Sequence, residues 1–366
     1  MDLLSPLESV YRAGWGIWNW GYSQKIFPSY PVKCTVISIG NLTWGGTGKT
    51  PVVKYLAQRF KEKGERVGVL SRGYGSPDDR LKADEVRWLM DQLQGVSIFA
   101  DPDRVASAKE AQAQGIDCLI LDDGFQHRRL VREMDIITMD ATDPFGNGYL
   151  IPAGKLREPL SSLRRADWVL LTKSDLVSSE RLHQIQGEIR RVAPGVPMSE
   201  TIYRPVGLSE IPLKDGASAH QRISTLVKDR HRNLEQLQGK KVGLVAAIGN
   251  PEGFKRTVEK LGAIVVRTYF KRDHSRYSEL DFQRMAEIQE NESLFGWITT
   301  SKDGARIKSL MGGLNIKAGN SKPEIRNSKP EIQDRKGIIP TLCELAVELV
   351  FTKGEAELWQ AIESLF

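Results

Sequence analysis

From residue 32 onward, short runs of apolar residues alternate with stretches of helical periodicity. Runs at 32–39, 66–70, 96–100, 117–121, 135–139 and 168–171 have strand length and are followed by polar residues, as expected of strands buried on both faces. Helical patterns lie between them at 52–63 and 104–113. A second series follows, with strands predicted at 242–248, 263–270, 297–300 and 342–351 and a helix at 252–261. Ser278, with an acid three residues on, marks a further helix start. Alternation of this kind predicts an α/β fold in which helices flank a parallel sheet. The expected organisation is a P-loop kinase domain over 31–200, a polar linker region over 201–240 and a second, smaller α/β domain over 241–366. Within the last, NSKPEI occurs twice, and 318–336 reads as a polar repeat insertion.

The first thirty residues have a different pattern. Leu3, Leu4, Leu7, Val10, Tyr11, Gly14, Trp15, Trp18 and Tyr22 fall on one helical stripe, with Arg12 and Lys25 flanking it. Such a helix can lie in a membrane interface, pack on its own domain, or line a groove for an apolar substrate.

At 366 residues the chain is long enough for two domains of about 150 residues each. With 40% hydrophobic and 27% charged residues it is neither disordered nor collagen-like. The net charge of +6 suits anionic ligands. No face or helix collects a dense Lys/Arg run, so nucleic acid is not an expected partner. Three widely spaced cysteines, Cys34, Cys118 and Cys343, form neither a disulfide framework nor a zinc site and suit a reducing cytoplasm. The N-terminus has no signal-peptide pattern, and no run approaches the roughly 20 apolar residues of a membrane span.

The chemistry concentrates at Thr43-Trp44-Gly45-Gly46-Thr47-Gly48-Lys49-Thr50, between a strand and a helix. This is a phosphate-binding loop: backbone N–H groups and the helix N-terminus cradle phosphates, Lys49 reaches the β- and γ-phosphates, and Thr50 offers its hydroxyl to Mg²⁺. Thr43 stands where the usual motif has its first glycine. A carboxylate on a neighbouring strand completes such a site. Asp122, with Asp123 beside it, ends the apolar run 117–121; strand ends also carry acids as solvated caps. TKSD at 172–175 resembles the guanine-reading element of GTPases, with Thr172 in place of its asparagine, and equally suits a polar strand exit.

The strings GNLTWGGTGKTP (40–51), LSRGYG (70–75), DDGFQH (122–127), PAGKLREP (152–159), Asp273-His274 and TTSKD (299–303) together closely resemble the tetraacyldisaccharide 4′-kinase family of lipid A synthesis in Gram-negative bacteria. The resemblance implies that ATP, with Mg²⁺, phosphorylates the 4′-hydroxyl of a tetraacylated glucosamine disaccharide 1-phosphate. It implies a cytoplasmic protein, peripherally attached to the inner-membrane surface through the N-terminal helix, with no obligate protein partner evident. It places the catalytic Asp at Asp84, in Ala83-Asp84-Glu85-Val86, and a histidine that tunes its basicity at His274. Arg72, Tyr74, His127, Arg157 and Glu158 match family strings near the acceptor; read singly, each also suits a surface ion pair. The rival reading is a P-loop nucleotide switch, GTPase- or metallochaperone-like, that acts on a protein partner.

Overall fold

The computed structural model describes residues 5–72, 89–90, 92–211, 234–272, 275, 277–314 and 340–366. The chain forms two compact units, one of Met1–Arg204 with Glu348–Phe366 and one of Pro205–Val347.

The first unit is built on strands β1 (Thr35–Gly40), β2 (Val67–Ser71), β3 (Ser97–Ala100), β4 (Cys118–Asp122), β5 (Met134–Asp140), β6 (Trp168–Thr172) and the start of β7 (Met198–Glu210). Their order is β3-β2-β4-β1-β5-β6-β7. Every pairing along it is parallel. Four of the five residues of β2 and of β4 are buried, and all five of β6, so the near-continuous apolar runs read from the sequence are those of a sheet covered on both faces. β1 lies centrally, between β4 and β5. The helices that cover the sheet begin at recognisable caps. Asp103 accepts from the N–H groups of Val105 and Ala106 at the start of α3 (Arg104–Ala113), and Ser178 accepts from Arg181 at the start of α4 (Ser179–Val192). The helix that follows β1, α2 (Lys49–Glu62), buries Val52, Val53, Leu56, Ala57 and Phe60 against the sheet. The N-terminal helix α1 (Ser5–Ser23) also belongs to this unit.

The second unit repeats the pattern on a smaller scale. β8 (Lys241–Ala246), β9 (Ile264–Phe270) and β10 (Gly296–Thr300) pair in parallel, and β11 (Leu342–Lys353) joins β10 in the same sense. Helices α5 (Pro251–Lys260), α6 (Glu279–Asn291) and α7 (Ser301–Leu314) connect them. Asn250 caps α5 with proline in its first turn, and Ser278 with Asp281 forms the expected capping box. TTSKD acts here as scaffolding: the buried Asp303 carboxylate accepts from Thr300 Oγ1 (2.9 Å) and from the Ala247 N–H (3.1 Å), which ties α7 to the end of β8.

Two expected boundaries change. Residues 201–240 begin as strand rather than linker, since β7 runs to Glu210; the strand buries the polar Ser199 and Thr201 and leaves Ile202 and Val206 only half-buried, so no apolar run marks it. The chain's end does not belong to the smaller domain. α8 (Glu355–Glu363) buries Leu358, Trp359 and Ile362 in the same apolar cluster as Leu56 and Phe60 of α2, within the first unit. Trp359 stands edge-on to Phe60, and its Nε1–H donates to Tyr55 Oη at 2.8 Å. The predicted insertion over 318–336 falls outside the described residues. Trp359→Ala should therefore lower unfolding free energy by about 3 kcal/mol, the usual cost of emptying an aromatic site. Denaturant midpoints measure this, and a loss below about 1 kcal/mol would make α8 an appendage instead.

Candidate active site

The register of β1 with β4 sets Ile39 opposite Asp122. The loop that leaves β1 and the two acids that end β4 therefore emerge at one edge of the sheet, the carboxyl ends of its strands, where open α/β sheets bind ligands. α2 begins at Lys49 behind Gly48, which takes φ 89° and supplies no side-chain cap. Its first-turn N–H groups thus have no side-chain acceptor at the cap and face outward with the positive end of the helix dipole. Only glycine fits there: a Cβ would stand 1.6 Å from Tyr203 Oη, in a left-handed backbone.

The loop's carbonyls are taken by neighbouring side chains. Thr138 Oγ1 donates to Gly40 O (3.1 Å), Asn41 Nδ2 to Thr43 O (2.7 Å), and Thr172 Oγ1 to Thr47 O (2.9 Å). Lys173 Nζ donates to Gly46 O at 3.4 Å and is ion-paired with Asp140. TKSD thus braces the phosphate loop. The PAGKLREP segment closes the other side: the Trp44 N–H donates to Lys155 O (2.6 Å), the Arg157 N–H donates to Leu42 O (2.7 Å), and Thr43 bridges Leu156.

Charge converges on Asp123. Its carboxylate accepts two bonds from Arg157 (2.7 and 3.1 Å) and lies 3.3 Å from Lys49 Nζ. Arg157 also donates to Asn41 Oδ1 at 3.1 Å. Arg104, on the buried face of α3, donates to the Asp123 carbonyl at 3.0 Å. Asp123 has φ 52°, left-handed for a non-glycine residue. Burial acts to raise its pKa, but Lys49, Arg157 and Arg104 outweigh burial and hold the carboxyl well below the usual carboxylate range.

His127 is partly buried, and burial together with Arg104, Arg132 and Arg129 lowers its pKa to about 4. It is a neutral imidazole at neutral pH. Glu158, almost fully buried, pairs with Arg165 at 2.7 Å, and Arg165 lies over the Phe125 ring. α1 reaches this region too: Tyr11 Oη donates to Arg157 O at 2.7 Å, and Arg128 donates to Asn19 while covering Trp18 and Tyr22.

A model of the tetraacyldisaccharide-1-P 4′-kinase family (LpxK) matches residues 1–328. The chain belongs to this family. Curated relatives of that name include proteins from Anaeromyxobacter sp. (strain K), 34% identical over 320 residues, with 83% of this chain and 80% of that protein covered. Another is from Syntrophus aciditrophicus (strain SB), 36% identical over 327 residues, with 83% and 84% covered. The fold is also that of a crystal structure of LpxK from Aquifex aeolicus in complex with ATP, at a TM-score of 0.66, 23% identity and coverage of 99% of this chain and 98% of that one.

Within this kinase-family scaffold, the residues expected to hold nucleotide form one contiguous turn, from the buried Thr43 through the exposed Trp44 to the half-buried Lys49 and Thr50. Asp123 and Arg157 contact it, and Asp122, His127 and Glu158 are near them in the chain. Arg72 is exposed at the end of β2 and contributes to the electrostatic surroundings of Arg104. Tyr74, Asp84 and His274 lie outside the described residues. Arg104 was not anticipated, and Asn41 only as a member of the 40–51 string. Arg104 left a usable signal, an arginine on the same helical face as Val105, Ala108 and Ala111; Asn41 left none beyond its place in the motif.

His127 gives a pH signature. Its folded pKa is lowered below the ordinary imidazole value of about 6.5, so the unfolded chain binds the extra proton first and stability is lost as pH falls from about 6.5 towards 4. His127→Gln should flatten that part of the profile, measured as midpoint denaturant concentration against pH; an unchanged slope would place the imidazole in ordinary solvent.

Proposed function

We propose that this chain transfers the γ-phosphoryl group of ATP to the 4′-hydroxyl of a tetraacylated glucosamine disaccharide 1-phosphate. Membership of the 4′-kinase family carries this reading, and the phosphate loop of the first unit is in keeping with it. Family membership also sets aside the rival nucleotide switch. The step forms a bond between the sugar oxygen and the γ-phosphorus and breaks the bond from that phosphorus to the β,γ-bridging oxygen. ADP leaves, and the hydroxyl proton passes to a base.

In this reading the loop amides and the α2 N-terminus bind the phosphates, and Lys49 exchanges part of its contact with Asp123 for phosphate oxygens. Arg157 and Arg104 keep the Asp123 turn in place meanwhile. Mg²⁺ fits the residues present: the Thr50 hydroxyl and the Asp122 and Asp123 carboxylates are hard oxygen donors, and this ion needs only one or two carboxylates beside phosphates and water. When bound, it would neutralise charge on the β- and γ-phosphates. Asp84 is the base that the family resemblance gives, with His274 tuning it. Neutral His127 is suited to hydrogen-bonding a sugar hydroxyl, and the exposed guanidinium of Arg72 to an acceptor phosphate.

The acceptor is a lipid, and α1 supports docking at the cytoplasmic face of the inner membrane. The helix carries apolar residues on two faces, Ile17 and Trp20 extending the stripe read from the sequence. Tyr11, Trp15, Trp18 and Tyr22 turn inward, while Leu7, Val10, Ile17 and Trp20 are 55–72% exposed. An apolar face of this size beside Arg12 and Lys25 suits an interfacial helix. Among the described residues no helix is long and apolar enough to cross a membrane.

Labelled ATP with an acylated disaccharide 1-phosphate in detergent tests the reaction. Lys49→Ala and Asp84→Asn should each reduce lipid phosphorylation at least about 100-fold while the protein stays folded, and near-normal turnover in either refutes that residue's role. For the membrane, Val10→Ser/Ile17→Ser should lower co-sedimentation with phospholipid vesicles about tenfold, since two buried side chains are lost from the contact. Equal binding by parent and variant would remove α1 from the interface.

A further inference from the structure

The proposed site depends on a turn that its own sequence does not favour. Asp123 adopts φ 52°, a region that asparagine, aspartate and glycine visit but that still costs free energy in any L-residue. This conformation accompanies the arrangement in which the carboxylate meets Lys49 and Arg157 while the next peptide turns back under β1. The Gly124 N–H donates to Ile39 O at 3.0 Å, and a Cβ on Gly124 would meet Ser38 Oγ at 2.5 Å, so the turn is pressed against the sheet.

The outward carbonyls of the turn are held by two arginines from different elements. Arg104 takes the Asp123 carbonyl. Arg132, in the segment leading into β5, donates through Nη1 to the Gly124 carbonyl at 2.8 Å, while its Nε stands 3.5 Å from Asp135 Oδ2. The Arg132 and Asp135 side chains are only 10% and 14% exposed. Neither touches the loop, Lys49 or Arg157 in any described hydrogen bond. A buried ion pair gains little net stability from its charge alone; here its guanidinium also satisfies a buried backbone acceptor.

We infer that Arg132 is a positioning residue for phosphoryl transfer: clamped by Asp135, it fixes the Gly124 carbonyl and so keeps Asp122 and Asp123 aimed at the phosphate and metal site. The inference rests on the assignment of those two acids to that site. It turns on the guanidinium fork, since one planar group serves Asp135 and Gly124 O together, whereas a lysine ammonium is a single point on a flexible stem. The Gly124 carbonyl also accepts from the His127 N–H at 2.8 Å, so a lysine at 132 leaves no orphaned backbone acceptor.

Arg132→Lys tests this in the full-length protein. Nucleotide affinity is measured by titration with ADP, once in excess EDTA and once with saturating Mg²⁺, beside kcat and KM for the lipid acceptor. The expected result is an ADP affinity in EDTA within about twofold of the parent, because the loop amides are untouched. The gain in affinity on adding Mg²⁺ should shrink about fivefold or more, and kcat should fall about tenfold with acceptor KM little changed, as for an interaction used mainly in the transition state. A parental Mg²⁺ gain and kcat overturn the inference, as does a parallel loss of EDTA affinity and melting temperature, which marks a merely structural residue. Should the lysine variant not fold, Asp135→Asn removes the clamp and keeps the guanidinium. It should move the Mg²⁺ gain and kcat in the same direction by about threefold, and no movement overturns the inference. Asp123→Asn separates the two levels. If it retains the parental Mg²⁺ gain and kcat, the site assignment itself fails; if it loses them while Arg132→Lys does not, only the role of Arg132 falls.

Discussion

Backbone can hold a phosphate only through N–H groups that are not spent elsewhere, and that requirement orders the structure around β1. The turn from Gly40 to Gly48 is fixed chiefly through its carbonyls. Gly40 O, Asn41 O, Leu42 O, Thr43 O, Gly46 O, Thr47 O and Gly48 O accept from Thr138, Gln126, the Arg157 amide, Asn41, Lys173, Thr172 and Tyr203 respectively. Side chains from β5, β6 and β7 thus hold the loop from behind. Gly48 then starts α2 with no side-chain cap, so the helix N-terminus stays available to an anion. A capping serine or aspartate acts from extended backbone and cannot take the left-handed place of Gly48, so no side-chain oxygen occupies the position that a ligand's would.

The second constraint is electrostatic. Lys49, Arg157 and Arg104 crowd one end of the sheet, and Asp123 is the counter-charge that lets them share it. They hold its carboxyl ionised; at His127 burial leads, and Arg104, with Arg132 and Arg129, adds to it and keeps the imidazole neutral. Arg104 is common to both, and the two environments place an ionised acid and an uncharged ring a few residues apart on one strand exit.

Much of this was legible in the chain because it is local. The strands announced themselves as apolar runs, the phosphate loop as a glycine-rich turn between strand and helix, and Asp122 and Asp123 as polar residues ending an apolar run. What could not be read arises from long-range pairing. β7 buries the polar Ser199 and Thr201 in a mixed sequence, so its strand character comes from its place beside β6 rather than from its own composition. α8 was assigned to the wrong unit because nothing in Glu355–Glu363 says that Trp359 meets a helix 300 residues earlier. The TKSD string is the instructive case: its residues suited base recognition and a polar strand exit equally, and Thr172 and Lys173 grip loop carbonyls, a role set by β6 running two strands from β1.

The same long-range logic ties the proposed membrane helix to the nucleotide loop. Tyr11 of α1 donates to the carbonyl of Arg157, the Arg157 amide donates to Leu42 O, and the Arg157 guanidinium bonds both Asn41 and Asp123. Glu8 accepts from the Leu150 N–H at 3.3 Å, and so secures a second point of the same segment. α1 thus rests directly on the segment that walls the phosphate loop. On the proposed reading, an amphiphilic acceptor whose acyl chains lie along the outer face of α1 would carry its sugar only a short way beyond the helix. A helix joined to the loop by so few bonds limits how far that sugar can stray from the γ-phosphate. Effective concentration at the reacting hydroxyl would then depend, in that reading, on the Tyr11–Arg157 and Glu8–Leu150 contacts as well as on any group that touches the sugar.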